Sequence, residues 1–138
     1  MNIEIGPETP EIKDAIVAGF EQYTRDTIDC EQNIKDIIAF CLRDDHGNIV
    51  GAATGRIFWG AFHLKNLWVA KELRGKGYGR LLVDKVCDHA RMHNALFIYL
   101  ETLSFQAEQF YKNIGFYVEF VREGYDHGIT MIYMRKDL

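Results

Sequence analysis

The most informative segment of the chain, residues 67–80, reads Leu67-Trp68-Val69-Ala70-Lys71-Glu72-Leu73-Arg74-Gly75-Lys76-Gly77-Tyr78-Gly79-Arg80. Its apolar start is typical of a buried strand, the three glycines at alternate positions predict a turn, and the residues beyond them predict a helix. Glycines leave backbone N–H groups uncovered, and the N-terminus of a helix adds a partial positive charge. The order of strand, glycine turn and helix therefore indicates a binding site for an anion.

Basic side chains surround this turn. Lys71, Arg74, Lys76 and Arg80 stand against one acid, Glu72. A charge-assisted hydrogen bond to phosphate contributes about 1.5–3 kcal/mol, so several together would hold a pyrophosphate. The alternative is a glycine-rich turn with solvated basic residues. The chain lacks the GxxxxGK[ST] pattern of a Walker loop, and no GxGxxG follows the first strand, so two other phosphate-binding classes are excluded.

The pattern of apolar residues on either side of this segment predicts an α/β fold. Helices are expected over residues 8–23, 80–92 and 104–114, and strands over 38–43, 49–59, 62–69, 96–100, 118–122 and 129–136, with a short edge strand over 1–5. The order predicts an antiparallel meander, a strand–helix–strand crossover and a final hairpin. We expect a mixed, mostly antiparallel sheet with helices on both faces.

Composition limits the classes of protein that fit. With 138 residues, the chain is expected to form a single domain over 1–138, and its net charge of −4 argues against a nucleic-acid coat protein. The three cysteines form no CxxC pair, so no zinc site is indicated and reduced thiols in the cytoplasm are expected. No signal peptide is recognisable, and no apolar run approaches the roughly 20 residues that span a membrane.

Two motifs resemble those of the GCN5-related N-acetyltransferases, the GNAT superfamily. The resemblance extends from Ile38 to Leu138. The first motif, Arg74-x-x-Gly77-x-Gly79, matches the family's acyl-CoA pyrophosphate loop. The second resembles the segment that closes the family's cofactor site and reads Leu100-Glu101-Thr102-x-Ser104-Phe105-Gln106-Ala107-x-x-Phe110-Tyr111-x-x-x-Gly115-Phe116.

The resemblance implies how the cofactor binds. The parallel strands over 62–69 and 96–100 would splay apart, and the pantetheine arm of acetyl-CoA would lie between them without any metal. The residues expected to contact the cofactor are Leu67, Trp68, Val69, Arg74, Gly75, Lys76, Gly77, Tyr78, Gly79, Arg80, Ser104, Gln106 and Phe110. Many members have an asparagine after the second splayed strand, whereas this chain has Ser104-Phe105-Gln106. Ser104 or Gln106 would replace that contact, although a helix N-cap is the simpler role for Ser104.

The resemblance also implies two catalytic residues. Tyr111 matches the tyrosine that protonates the departing thiolate, and its alternative role is packing beside Phe110. Glu101, at the end of a buried strand, is the candidate that assists deprotonation of the acceptor amine. Its alternatives are a salt bridge or support of the following helix. The five histidines, among them His63, form no recognisable ligand or catalytic motif.

The sequence therefore predicts an acetyl-CoA-dependent N-acetyltransferase that acts on a small-molecule or peptide amine by direct attack in a ternary complex. Two alternatives stay open at this point: a non-catalytic acyl-CoA-binding sensor or regulatory module, and a nucleotide-phosphate binder. We expect neither nucleic acid nor membrane as a partner. The aromatic-rich final strands suit either a core or a homodimer surface.

Overall fold

A computed structural model describes all 138 residues, and their contacts divide the chain into two compact units, residues 1–33 and 34–138. The first unit contains helix α1, Pro10–Ile28, which begins after the N-cap Thr9. Residues 1–9 are irregular, so the expected edge strand over 1–5 is wrong; no neighbouring strand supplies the ladder bonds it would need. The helix continues beyond residue 23 because polar side chains in its C-terminal part form hydrogen bonds between successive turns. For example, the Gln22 amide donates to Asp26 Oδ1 at 2.8 Å. That the whole chain forms one domain stays a prediction.

The second unit is a six-stranded sheet with two helices, which confirms the predicted fold class. The strand order is β1-β2-β3-β4-β6-β5, and every neighbouring pair is antiparallel except β3 and β4. The elements are β1 Ile38–Arg43, β2 Ile49–Phe58, β3 Ala61–Val69, α2 Tyr78–Met92, β4 Phe97–Leu103, α3 Glu108–Asn113, β5 Tyr117–Arg122 and β6 Met131–Asp137. Short 3-10 turns occupy Lys71–Leu73 and Asp126–Gly128. No helix has both the length and the apolar character needed to cross a bilayer.

Helix α2 and one face of the sheet form the hydrophobic core. The helix buries an apolar stripe at intervals of three and four residues: Leu82, Val83, Val86, Cys87 and Ala90. Alternate residues of the central strands meet it, and Phe62, Ile98 and Met134 are completely buried. Each such side chain contributes roughly 1.5–3 kcal/mol by leaving water. Residues of opposite parity, such as Glu101, lie on the sheet face away from α2.

The parallel strands β3 and β4 diverge soon after they meet. Only two residue pairs are in register, Phe62 with Ile98 and His63 with Tyr99. The pairing of β3 with β2 shifts by one residue immediately beyond this point. Next to this shift, β2 approaches β3 so closely that only glycine fits at position 55. A Cβ on Gly55 would lie 2.2 Å from the backbone oxygen of His63. A gap therefore opens between β3 and β4, as predicted.

The helix expected over 104–114 starts four residues later, at Glu108. Ser104 is therefore not its N-cap, which corrects that expectation. The Ser104 hydroxyl instead accepts a hydrogen bond from the backbone N–H of Thr130 at 3.1 Å, and the Ser104 N–H donates to the Thr130 carbonyl at 2.9 Å. These bonds tie the end of β4 to the chain that enters β6, so residues 104–107 form a turn.

Candidate active site

A cavity of about 590 Å³ occupies the gap between β3 and β4. Arg74 lies at the glycine loop, Glu101 on β4 and Tyr111 on α3, and all three line this one cavity. Among the residues predicted from the sequence, its lining also includes Leu67, Trp68, Val69 and Gln106. The cavity therefore places a cation, a carboxylate and a phenol around a common space.

A second cavity of about 470 Å³ lies at the glycine loop and shares Leu67, Val69, Arg74 and Ala107 with the first. The predicted residues that line only this cavity are Gly75, Gly77, Gly79, Arg80 and Phe110. Phe110 packs directly over the loop, since a Cβ on Gly79 would lie 3.2 Å from its ring. Lys76, Tyr78 and Ser104 line neither cavity.

The glycine loop has the backbone geometry of an anion site. Gly75 and Gly77 have φ angles of +74° and +89°, a conformation in which a side chain would be strained. Gly77 is the N-cap of α2, and the first helical hydrogen bond comes from Leu81 N–H to the Gly77 carbonyl. The N–H groups of the first turn consequently have no acceptor within the protein. They combine with the positive end of the helix dipole at the second cavity.

Arg74 is held at the junction of the two cavities. Its Nε donates to the backbone carbonyl of Val69 at 2.9 Å, which fixes the guanidinium against the end of β3. Arg74 forms no salt bridge. Arg80 lies 4.0 Å from Asp84, but both side chains are largely exposed, so this pair contributes little. Both guanidinium groups thus remain available to a phosphate.

Tyr111 is a buried phenol at the edge of the first cavity. It is 7% exposed and contacts the rings of Phe110 and Phe116 edge-on, with centroids 5.2 and 5.5 Å away. Burial disfavours the charged phenolate and raises the pKa of Tyr111 to about 12. The hydroxyl therefore keeps its proton at neutral pH and can act as a donor.

Glu101 is paired with His63 across the splay. Glu101 Oε2 lies 2.7 Å from His63 Nε2, and the ring of Tyr99 stacks on the imidazole at 4.5 Å with an angle of 2° between the planes. Burial, and secondarily the charge of Glu101, raises the pKa of Tyr99. Sequence reasoning missed His63, because 38 residues separate it from Glu101. The available signal was strand parity: His63 is level with Tyr99 on β4, and Glu101 is two residues further along the same face.

Gln106 braces the turn between β4 and α3. Its Oε1 accepts hydrogen bonds from the Leu103 N–H at 3.0 Å and from the Thr102 hydroxyl at 3.3 Å. Its side-chain NH2 is left without a protein partner and belongs to the wall of the first cavity. Gln106 can therefore offer a donor to a ligand in this cavity, whereas Ser104, whose hydroxyl accepts from Thr130, lies outside both cavities.

Comparison with known proteins agrees with this geometry. Residues 9–116 match the family model described as the acetyltransferase (GNAT) family. Blasticidin-S acetyltransferase of Streptomyces morookaense is 30% identical over 95 residues, which cover 68% of this chain and 70% of that protein. An acetyltransferase of Bacillus cereus superimposes with a TM-score of 0.81 at 27% identity, covering 99% of this chain and 98% of that one.

A further structural relative contains the cofactor. A Bacillus anthracis protein described as a streptothricin acetyltransferase was solved in complex with acetyl coenzyme A. It superimposes with a TM-score of 0.68 at 23% identity, over 77% of this chain and 65% of that protein, which is a likeness of fold. The family match covers most of the chain and agrees with the splayed sheet and the glycine loop. The chain therefore belongs to the GNAT family of acetyltransferases and is an N-acetyltransferase.

Proposed function

We propose that this protein transfers an acetyl group from acetyl-CoA to a primary amine of a small molecule or peptide, by direct attack in a ternary complex. The observation that carries the proposal is that Arg74, Glu101 and Tyr111 line one cavity between the splayed strands. Arg74 lies where the phosphates of the donor would bind. Glu101 and Tyr111, the two groups proposed to transfer protons, lie where the thioester at the other end of the donor would be.

Binding of the donor follows from the two joined cavities. The pyrophosphate sits at the glycine loop, where it meets free N–H groups of the first turn of α2 and the side chains of Arg74 and Arg80. The pantetheine arm runs along β3 in the gap, where the backbone of Leu67 and Val69 has no partner strand on the β4 side. Gln106 contributes a side-chain donor on the opposite wall.

The chemistry divides between Glu101 and Tyr111. An alkylammonium has a pKa near 10, so the acceptor must lose a proton before its nitrogen can attack, and the carboxylate of Glu101 takes that proton. The nitrogen then bonds to the thioester carbon, and the C–S bond breaks as the tetrahedral intermediate collapses. The leaving thiolate takes the phenolic proton of Tyr111. The attacking nitrogen loses its second proton to water as the intermediate collapses, a proton from this water restores the Tyr111 phenol, and Glu101 releases its own proton to solvent. A positioned acid of this kind contributes about 10²–10⁴-fold in rate.

We infer the chemical class of the acceptor substrate, a small-molecule amine, from two observations. The relative named for blasticidin-S favours a small-molecule amine over a protein substrate. The wall of the first cavity also contains Lys65 and Arg74, so Glu101, its only carboxylate, is the one group there that would attract a cationic amine. All three cysteines are free thiols, which fits a reducing compartment, and we place the activity in the cytoplasm.

The test is a thermal-shift titration with acetyl-CoA, with ATP as the control ligand. A ligand at 100 times its Kd should stabilise the fold by about 2.7 kcal/mol. Arg74→Ala should abolish most of this shift. Lys85→Ala removes the same charge from an exposed position on α2 outside both cavities, and it should retain the shift.

Turnover is then measured as release of coenzyme A thiol with a panel of amines. Tyr111→Phe should lower kcat while the acetyl-CoA shift persists. A shift without thiol release from any amine would favour the sensor alternative. No shift with acetyl-CoA would refute the donor site itself.

A further inference from the structure

We propose that His63 is the residue that positions Glu101 for deprotonation of the acceptor amine, and that Glu101 Oε1 is the atom that receives the proton. This inference rests on the proposed function and adds a residue and an atom to it. The hydrogen bond of 2.7 Å between His63 Nε2 and Glu101 Oε2 carries the argument.

The direction of this hydrogen bond follows from the chemistry of the pair. An ionised carboxylate can only accept, so the imidazole must donate through Nε2–H. That requirement excludes the tautomer in which Nε2 has no proton. It also uses Oε2 of Glu101 for His63, while no hydrogen bond or salt bridge of the protein involves Oε1. One oxygen is anchored and the other is free.

Two features hold the imidazole in place. The Tyr99 ring lies parallel to it at 4.5 Å, which blocks rotation about its side-chain bonds. His63 is also the last residue of β3 that is in register with β4, so its backbone is fixed where the strands are still paired. Glu101 lies two residues beyond Tyr99, where the strands have diverged. The hydrogen bond therefore spans the splay and connects a rigid point to the cavity wall.

The roles of the two side chains differ because only one of them lines the cavity. Glu101 belongs to the wall of the 590 Å³ cavity, and His63 does not. His63 consequently acts through Glu101. Without the anchor, the Glu101 side chain would sample several rotamers, and displacement of a reacting group by about 1 Å can cost up to 100-fold in rate.

The test uses two substitutions that differ in where they carry an N–H donor. His63→Gln carries its amide nitrogen at the ε position and can still donate to Glu101 Oε2, whereas His63→Asn carries it at the δ position and falls short. We expect His63→Asn to lower kcat by about 10–100-fold with the KM for acetyl-CoA unchanged. His63→Gln should restore most of kcat. His46 lies in the exposed turn between β1 and β2, so His46→Gln and His46→Asn are the matched controls.

The outcomes separate this inference from the proposed function. An acetyl-CoA thermal shift first verifies that each variant is folded. Equal loss of kcat in the Gln and Asn variants would overturn the positioning role, because the imidazole itself would then be needed as the base. Wild-type kcat in both would overturn it as well. If the wild type acetylated no amine, the proposed function would fail and this role with it. Nitrogen-15 NMR of the His63 ring adds a direct measurement, and a proton on Nδ1 rather than Nε2 would contradict the hydrogen bond.

Discussion

Burial of the Tyr111 phenol should make the stability of the protein fall at alkaline pH. The pKa of this group is about 12 in the folded protein, against 10 when it is exposed on unfolding. A raised pKa means that the folded state holds the proton more tightly than the unfolded state. The resulting stabilisation is fully present below pH 10 and is lost as pH rises towards 12. Tyr111→Phe has no proton to lose and should escape this loss.

The magnitude follows from the two pKa values. At about pH 11, one unit above the unfolded value and one below the folded value, wild type should have lost on the order of 1 kcal/mol relative to the variant. The limit at higher pH is on the order of 3 kcal/mol. Urea unfolding of both proteins at about pH 8 and pH 11 measures the difference, and Tyr23→Phe, at a tyrosine that is 69% exposed, is the control for a generic substitution. A stability difference between wild type and Tyr111→Phe that is the same at both pH values would refute the assigned burial. It would also remove the argument that burial keeps this phenol protonated and able to donate its proton.

Three further perturbations test the framework around the site. Gly55→Ala places a methyl group 2.2 Å from the His63 carbonyl and should destabilise the fold by about 3 kcal/mol or more, as measured by urea unfolding; a loss below 1 kcal/mol would contradict the close approach of the strands. Gln106→Ala removes the acceptor of the solvent-accessible Leu103 N–H and should cost about 0.5–1.5 kcal/mol in the same assay, with a raised KM for acetyl-CoA; unchanged values of both would argue against the brace. Burial raises the pKa of the Cys87 thiol, so Ellman's reagent should label the two exposed cysteines in the native protein and Cys87 only after unfolding; rapid labelling of all three would show that the α2 core is open.

Local signals were sufficient to predict most of the sheet and the glycine loop. Strand β1 lies at the predicted residues, and β3 and α2 differ from expectation by one or two residues at their starts. In each case the periodicity of the apolar residues and the flanking turn residues indicate the same element, so the local sequence is enough to specify it. The loop from Arg74 to Gly79 could be predicted for the same reason, because its own glycines set the backbone conformation and its own basic residues set the charge.

The features that could not be predicted depend on contacts between residues that are far apart in the sequence. A serine hydroxyl is suited both to capping a helix and to bonding a neighbouring strand, and the contact of Ser104 with Thr130, 26 residues away, selects the second role. The pairing of His63 with Glu101 depends on the register of two parallel strands joined by a whole crossover. No local pattern sets that register, so the histidine had no motif by which it could be recognised.

The splay also gives this sheet a third edge. Outer edges belong to β1 and β5, but residues 64–69 of β3 have no partner strand on the β4 side, in the middle of the sheet. Exposed edges of this kind recruit strands from other molecules, and proteins protect them with bulges and coverings. Here the shift in register between Leu64 and Asn66 bends the edge, and the turn that contains Phe105 and Gln106 forms the opposite wall of the gap. A slender chain such as the proposed pantetheine arm can enter this gap more easily than a polypeptide strand can, so a bound donor would shield the inner edge from pairing with other molecules.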